Sequence, residues 1–119
     1  MRLIAIFLLI SFAGAINADF DDAYGYLKQK EYIKALKEFK PLAEQGHVPS
    51  QMNLGWMHHK GLGVEQNYKT AIKWYEMAAN QDNEDAQHTL GNLYRNGEGK
   101  KDAVTKDLNK AMYYYKKSI

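Results

Sequence analysis

Chemistry in this chain of 119 residues would have to come from histidine, serine, carboxylates and glycine-rich turns, because cysteine is absent. Without a thiol there is no thiolate nucleophile, no disulfide and no Cys-ligated zinc or iron–sulfur site. His58-His59 is the one histidine cluster. Adjacent helical residues point about 100° apart, so the two imidazoles do not converge on one ion. The His-Glu-x-x-His spacing of a helical zinc site is missing, and His88 lies on a different expected helix. His58 reads as a core residue and His59 as a surface one. Past residue 18 the only serines are Ser50 and Ser118, and neither opens a Ser-x-x-Lys. Gly61-Leu62-Gly63 and Gly97-Glu98-Gly99 lack the third glycine and the preceding strand of a dinucleotide loop, so they read as helix stops. Asp19, Asp21, Asp22 and Asp82, Glu84, Asp85 precede or open helices. There they complement the helix dipole rather than gather calcium. No cofactor, no metal site and no catalytic set is therefore expected.

Composition narrows the partners. Sixteen Lys and Arg against 14 Asp and Glu leave a net charge of +2, which argues against a dedicated nucleic-acid binder. The hydrophobic fraction of 45% is that of a globular chain and excludes a disordered one. Residues Lys100 to Ile119 hold six Lys and two Asp. That excess reads as a solvated helix face, or as a contact for an anionic partner or lipid surface.

What must position these residues is a repeat. Leu54-Gly55 recurs as Leu90-Gly91, and Gly61-x-Gly63 as Gly97-x-Gly99, at an offset of 36. After the glycines the offset becomes 40: Val64 matches Val104, Ala71 matches Ala111, Trp74 matches Tyr114 and Tyr75 matches Tyr115. The second copy thus carries four extra residues, Lys100 to Ala103. Upstream, Ala35, Phe39 and Ala43 map onto Ala71, Tyr75 and Ala79 at 36 again. Each copy reads as two helices. The spacing predicts Pro49–Lys60 and Asn67–Asn80 in the middle copy, Glu84–Arg95 and Asp107–Ile119 in the last, and Asp21–Lys28 and Glu31–Glu44 in a shortened first copy. Tyr68, Ala71, Ile72, Tyr75, Ala78 and Ala79 form an apolar stripe of helical period, and Asn67 and Asp107 stand where caps belong. Gly55 and Gly91 fall inside helices, where glycine costs about 1 kcal/mol against alanine. Their recurrence points to close helix contact. No stretch alternates with period two, so no strand is expected. Three stacked pairs suffice for a shared core, and the fold class is an all-α solenoid, an α-α superhelix of three helix pairs.

The N-terminus reads as an address. Arg2, an apolar run from Leu3 to Phe12 and small residues up to Ala18 follow the order of a secretory signal peptide. The run is about half the roughly 20 residues of a membrane-spanning helix. Cleavage is expected after Ala18, with Ala15 as the alternative site, and an uncleaved anchor is the competing reading. The organisation is then 1–18 signal peptide, 19–47 a shortened tetratricopeptide-like helix pair, and 48–83 and 84–119 two full copies. The chain would be exported, periplasmic or secreted, with no stable membrane insertion after the signal is removed.

The run Ser50, Leu54-Gly55, His58, Gly61-Leu62-Gly63-Val64, Lys69, Ala71, Trp74-Tyr75, Ala78-Ala79 resembles the Sel-one-like repeat, a relative of the tetratricopeptide repeat. Ala86, Leu90-Gly91, Tyr94, Gly97, Gly99, Lys110-Ala111, Tyr114-Tyr115 is the second match. Residues 19–47 resemble the helix pair that often precedes such repeats in exported bacterial proteins. The resemblance implies a non-enzymatic adaptor for protein partners. Three departures stand out: His58 replaces the usual aromatic, Lys100 to Ala103 lengthen the last loop, and the cysteine pairs of some secreted relatives are missing. The last counts against the β-lactam-binding hydrolase activity proposed for that branch. An inhibitor or immunity-type binder of a single envelope protein is the other alternative.

Partner contact is expected where copies differ while the core repeats. On the middle first helix Ser50, Leu54, Met57 and His58 read as core. Met52, Trp56 and His59 make a second stripe, matched by His88, Asn92 and Arg95 in the next copy. First helices of solenoids line the ligand-binding surface, and Trp and Arg are frequent hot spots. Trp56 reads either as such a contact or as a core residue packed against the preceding pair. Met112, Tyr113, Tyr114 and Tyr115 offer a second surface for self-association or docking through the C-terminal helix.

Overall fold

The computed structural model describes residues 19–97 and 106–119, and within them the chain is helical with no strand. The expected leader (1–18) and the insertion Lys100 to Ala103 lie outside the described residues. Helix α1 covers residues 19–28. It is followed by α2 (Tyr32–Glu44), α3 (Val48–Lys60), α4 (Tyr68–Ala79), α5 (Glu84–Asn96) and α6 (Leu108–Lys117). Close packing runs between neighbours in sequence, α2 on α3, α3 on α4, α4 on α5 and α5 on α6, as in a solenoid.

Helix ends follow local chemistry. The side chains of Asn67, Asn83 and Asp107 accept from the backbone N–H groups of Thr70, Ala86 and Lys110 at 2.9–3.0 Å, satisfying donors the helix cannot. Asn67 and Asp107 are therefore caps rather than helical residues, and α6 stops at Lys117 with Ser118 as its C-cap. Gly61 and Gly97 end α3 and α5 at φ 72° and 62°, a left-handed turn that glycine takes cheaply. The repeat extends to the loop hydrogen bonds. The N–H of Asn67 donates to the His58 carbonyl at 2.9 Å, and that of Asp107 to the Tyr94 carbonyl at 2.8 Å.

Two core clusters stack along the chain. One joins Ala23, Ala35, Phe39 and Ala43 of the first pair to Leu54 and Met57 of α3. The other joins Ala71, Ile72, Tyr75, Ala78 and Ala79 of α4 to Ala86, Leu90, Leu93, Tyr94 and Ala111. The interior glycines have a physical cause. A Cβ on Gly55 would stand 2.6 Å from the Tyr75 ring, and one on Gly91 2.6 Å from the Tyr115 ring. Tyr75 of α4 and Tyr115 of α6 thus lie close against the glycines of α3 and α5. Gly63 serves the stacking itself: at φ 71° its Cα side rests on the Tyr32 backbone, 2.8 Å from where a Cβ would be.

Candidate functional site

The six expected contact residues lie on α3 and α5, the first helices of their pairs, and the structure treats them unequally. Trp56 is 41% exposed and belongs to neither core cluster. His88 and Arg95 are exposed, and the Arg95 Nε–H donates to the Asn96 side chain at 3.3 Å. Met52 is half-buried and packs against the second core cluster. His59 is half-buried between two rings of α4, with centroids 5.1 Å from Tyr68 and 6.3 Å from Tyr75. Asn92 is half-buried and accepts the Tyr115 hydroxyl at 2.5 Å. Met52, His59 and Asn92 are thus tied partly into packing, His88 is exposed with its ring 5.6 Å from that of Tyr115, and Trp56 and Arg95 stand open.

Tyr24 joins this row, although the repeat arithmetic did not reach it. The connections between paired helices are three residues long after α1, seven after α3 and eleven after α5. The first pair is therefore out of register by four, and Tyr24 corresponds to Trp56 at an offset of 32. Packing confirms the alignment: Ala23, Gly55 and Gly91 are the buried small residues directly preceding Tyr24, Trp56 and Asn92. Tyr24 is 41% exposed, with the Lys28 ammonium 5.0 Å from its ring centroid.

A second pair of residues escaped the sequence reading. Gln51 and Gln87 are buried and recur at 36. The Gln51 amide donates to the Ala43 carbonyl at 3.0 Å, and the Gln87 amide to the Ala79 carbonyl at 3.2 Å. Each locks a first helix to the end of the preceding second helix. The Gln81 amide donates to the Gln51 side-chain oxygen and to the Gly46 carbonyl, both at 3.1 Å. The corresponding oxygen of Gln87 is buried and unpaired.

His58 is half-buried with its Nδ1 unpaired, and burial, with the nearby Lys40 charge, lowers its pKa. That is the behaviour of a packed neutral imidazole. Among the described residues no group of three or more His, Asp or Glu side chains gathers to hold a metal. None of the described helices is long and apolar enough to cross a membrane. An open recess of about 400 Å³ lies between residues 30–34 and Gly63. Of its charged side chains, Lys30, Glu31 and Lys34, the last two pair with each other at 2.6 Å.

The Sel1 repeat profile matches residues 48–83 and 84–119, well over half of the chain. The chain is a member of the Sel1 repeat family. It is 34% identical over 83 residues to a sel1-like repeat-containing protein of Acanthamoeba polyphaga mimivirus, covering 70% of this chain and 15% of that one. It is 34% identical over 89 residues to human protein sel-1 homolog 2, covering 74% and 12%. Among solved structures it is similar to a protective antigen present in uropathogenic Escherichia coli strains, which displays an SLR fold. That match has a TM-score of 0.79 and 29% identity, covering 91% of this chain and 23% of that one. The chain thus spans about an eighth to a quarter of the length of these relatives. Sel1 repeat proteins are generally protein-interaction scaffolds, and the two Sel1 repeats here share their all-α solenoid fold.

Proposed function

We propose that the chain works outside the cytoplasm as a non-catalytic adaptor, holding a protein partner along the row Tyr24, Trp56 and Asn92 and the flanking His88 and Arg95. The observation that carries this reading is Trp56. An indole left 41% exposed, at a position where the next Sel1 repeat has Asn92, is dictated by neither the core nor the fold. A large aromatic side chain on such a face can bury about 150–250 Å² against a partner. The apolar run of residues 3–12 and Ala18 support export.

Two measurements test the proposal. Mass spectrometry of the exported protein should find Asp19 at the N-terminus, and intact Met1 on membrane-embedded protein would refute export. Trp56→Ala should weaken partner capture from an envelope extract by about 2 kcal/mol or more with the melting temperature nearly unchanged. Unchanged capture, or a large fall in melting temperature, would refute the contact role.

A further inference from the structure

The joint between the first helix pair and α3 differs in its titratable groups from the joint between α4 and α5. His47 is the N-cap of α3 and His58 stands in its last turn. At an offset of 36 the next joint has Asn83 and Tyr94 in their places. The charge that meets them changes too, since Lys40 of α2 corresponds to Glu76 of α4. At the second joint Glu76 acts on the Tyr94 and Tyr114 hydroxyls by charge and hydrogen bond, so a carboxylate meets two donors. At the first joint Lys40 acts on the His58 imidazole, so a cation meets a group that mild acid turns into a second cation.

Neither imidazole of the first joint has a place for that charge. His58 Nδ1 is buried without a hydrogen-bond partner. Protonated, it becomes a donor with no acceptor beside it. His47 stands edge-on to the Phe20 ring of α1, centroids 5.0 Å apart, and its Nδ1 lies 2.7 Å from the hydroxyl of the fully buried Ser50. Burial, with Lys40 adding to it at His58, holds both pKa values below 6.5. Carboxylates do not offset this. Asp19, Asp21 and Asp22 of α1, Glu38 and Glu44 of α2 and Glu65 after α3 are exposed, and none of them acts on either ring. From α4 Trp74 packs on the first core cluster, and Glu76, the one acid of that helix, is engaged at the second joint. The other two histidines, His59 and His88, face tyrosine rings within their own pairs.

We propose that the joint between the first helix pair and α3 is a pH-sensitive hinge: mild acid releases α1 and α2 together from α3, while α4 and α5 stay joined. The opened joint returns both imidazoles to water, where they bind protons more readily, so falling pH favours the opened form. At neutral pH the first core cluster and the Gln51 amide on the Ala43 carbonyl keep it closed. Tyr24 rides on α1 and Trp56 on α3, so opening divides the row of the proposed function, but the hinge does not depend on that reading.

Hydrogen exchange of the purified protein at pH 7.5 and 5.5, followed by mass spectrometry and corrected for the intrinsic pH dependence of exchange, reads the two joints separately. On acidification, protection over residues 23–44 should fall at least tenfold more than over 84–96. Lys40→Glu sets the carboxylate of the second joint beside His58 and should shrink that difference at least threefold. Because Lys40 is exposed, this variant should keep its melting temperature at pH 7.5, which separates a changed hinge from a lost fold. His47→Asn with His58→Tyr, the residues of the second joint, should abolish the difference. Protection that is unchanged by acid, or lost equally over both segments, would overturn the proposal. So would a difference that Lys40→Glu leaves as it was, or one that survives in the double histidine variant.

Discussion

Gly55→Ala sets two known effects against each other. Alanine is about 0.8–1.0 kcal/mol more favourable than glycine inside a helix, so propensity alone predicts a more stable protein. Packing predicts the reverse. The new methyl would lie 2.6 Å from the Tyr75 ring, where ordinary contact begins at 3.4 Å, so ring or helix must retreat by 0.8 Å. Tyr75 has little room, being 2% exposed and set in the second core cluster. Overpacking a closed core costs about 1–3 kcal/mol, so the net expectation is a loss of about 1–2 kcal/mol. In a domain of this size that lowers the melting temperature by about 4–8 °C per kcal/mol. Gly91→Ala meets the Tyr115 ring at the same 2.6 Å, but Tyr115 is half-buried and can swing outward, so its loss should be smaller. The assay is thermal unfolding by circular dichroism of Gly55→Ala, Gly91→Ala, Tyr75→Leu and the double variant Gly55→Ala with Tyr75→Leu. The two changes in the double variant should be coupled by more than 0.5 kcal/mol in the favourable sense. A Gly55→Ala protein that melts higher than the parent would refute the reasoning, because propensity would then have outweighed the contact.

Two further outcomes are expected. Gln51→Ala removes a buried donor to Ala43 and an acceptor for Gln81 and should cost about 1–3 kcal/mol in denaturant unfolding. Gln87→Ala should cost less, since Gln87 makes one bond and buries an unpaired oxygen; equal losses would count against this account of the joint. His58 and His47 have pKa values pushed below 6.5 in the folded protein, both by burial, with Lys40 adding to the effect at His58. The unfolded chain then binds more protons below pH 6.5, so stability should hold above that pH and fall as the pH drops toward the folded values. His58→Tyr, the residue of the next repeat, should make that slope shallower and leave the contribution of His47. An unchanged slope would show that His58 does not carry it.

Much of this architecture was legible before any coordinates, because a solenoid is a local fold. Helix period, caps and stops are written in neighbouring residues, and contact between consecutive helices lets a 36-residue repeat be read as a repeated packing unit. Asn67, Asp107, Gly61 and Gly97 thus marked helix ends, and Leu54, Leu90, Ala71 and Ala111 marked the core. Tertiary structure decided what depends on which side chain meets which. Gly55 announced a close contact, but only the fold shows a tyrosine ring lying on it. Gln51 and Gln87 recur at the repeat spacing, yet a glutamine carries no apolar signal, so only burial and a bonded carbonyl identify the joint. Tyr24 was hidden because the shortened turn after α1 shifts its register by four. Met52, Trp56 and His59 form one stripe on a helical wheel. Met52 packs on the second core cluster and His59 on the Tyr68 and Tyr75 rings of α4, while Trp56, at the edge of the stripe, stays exposed.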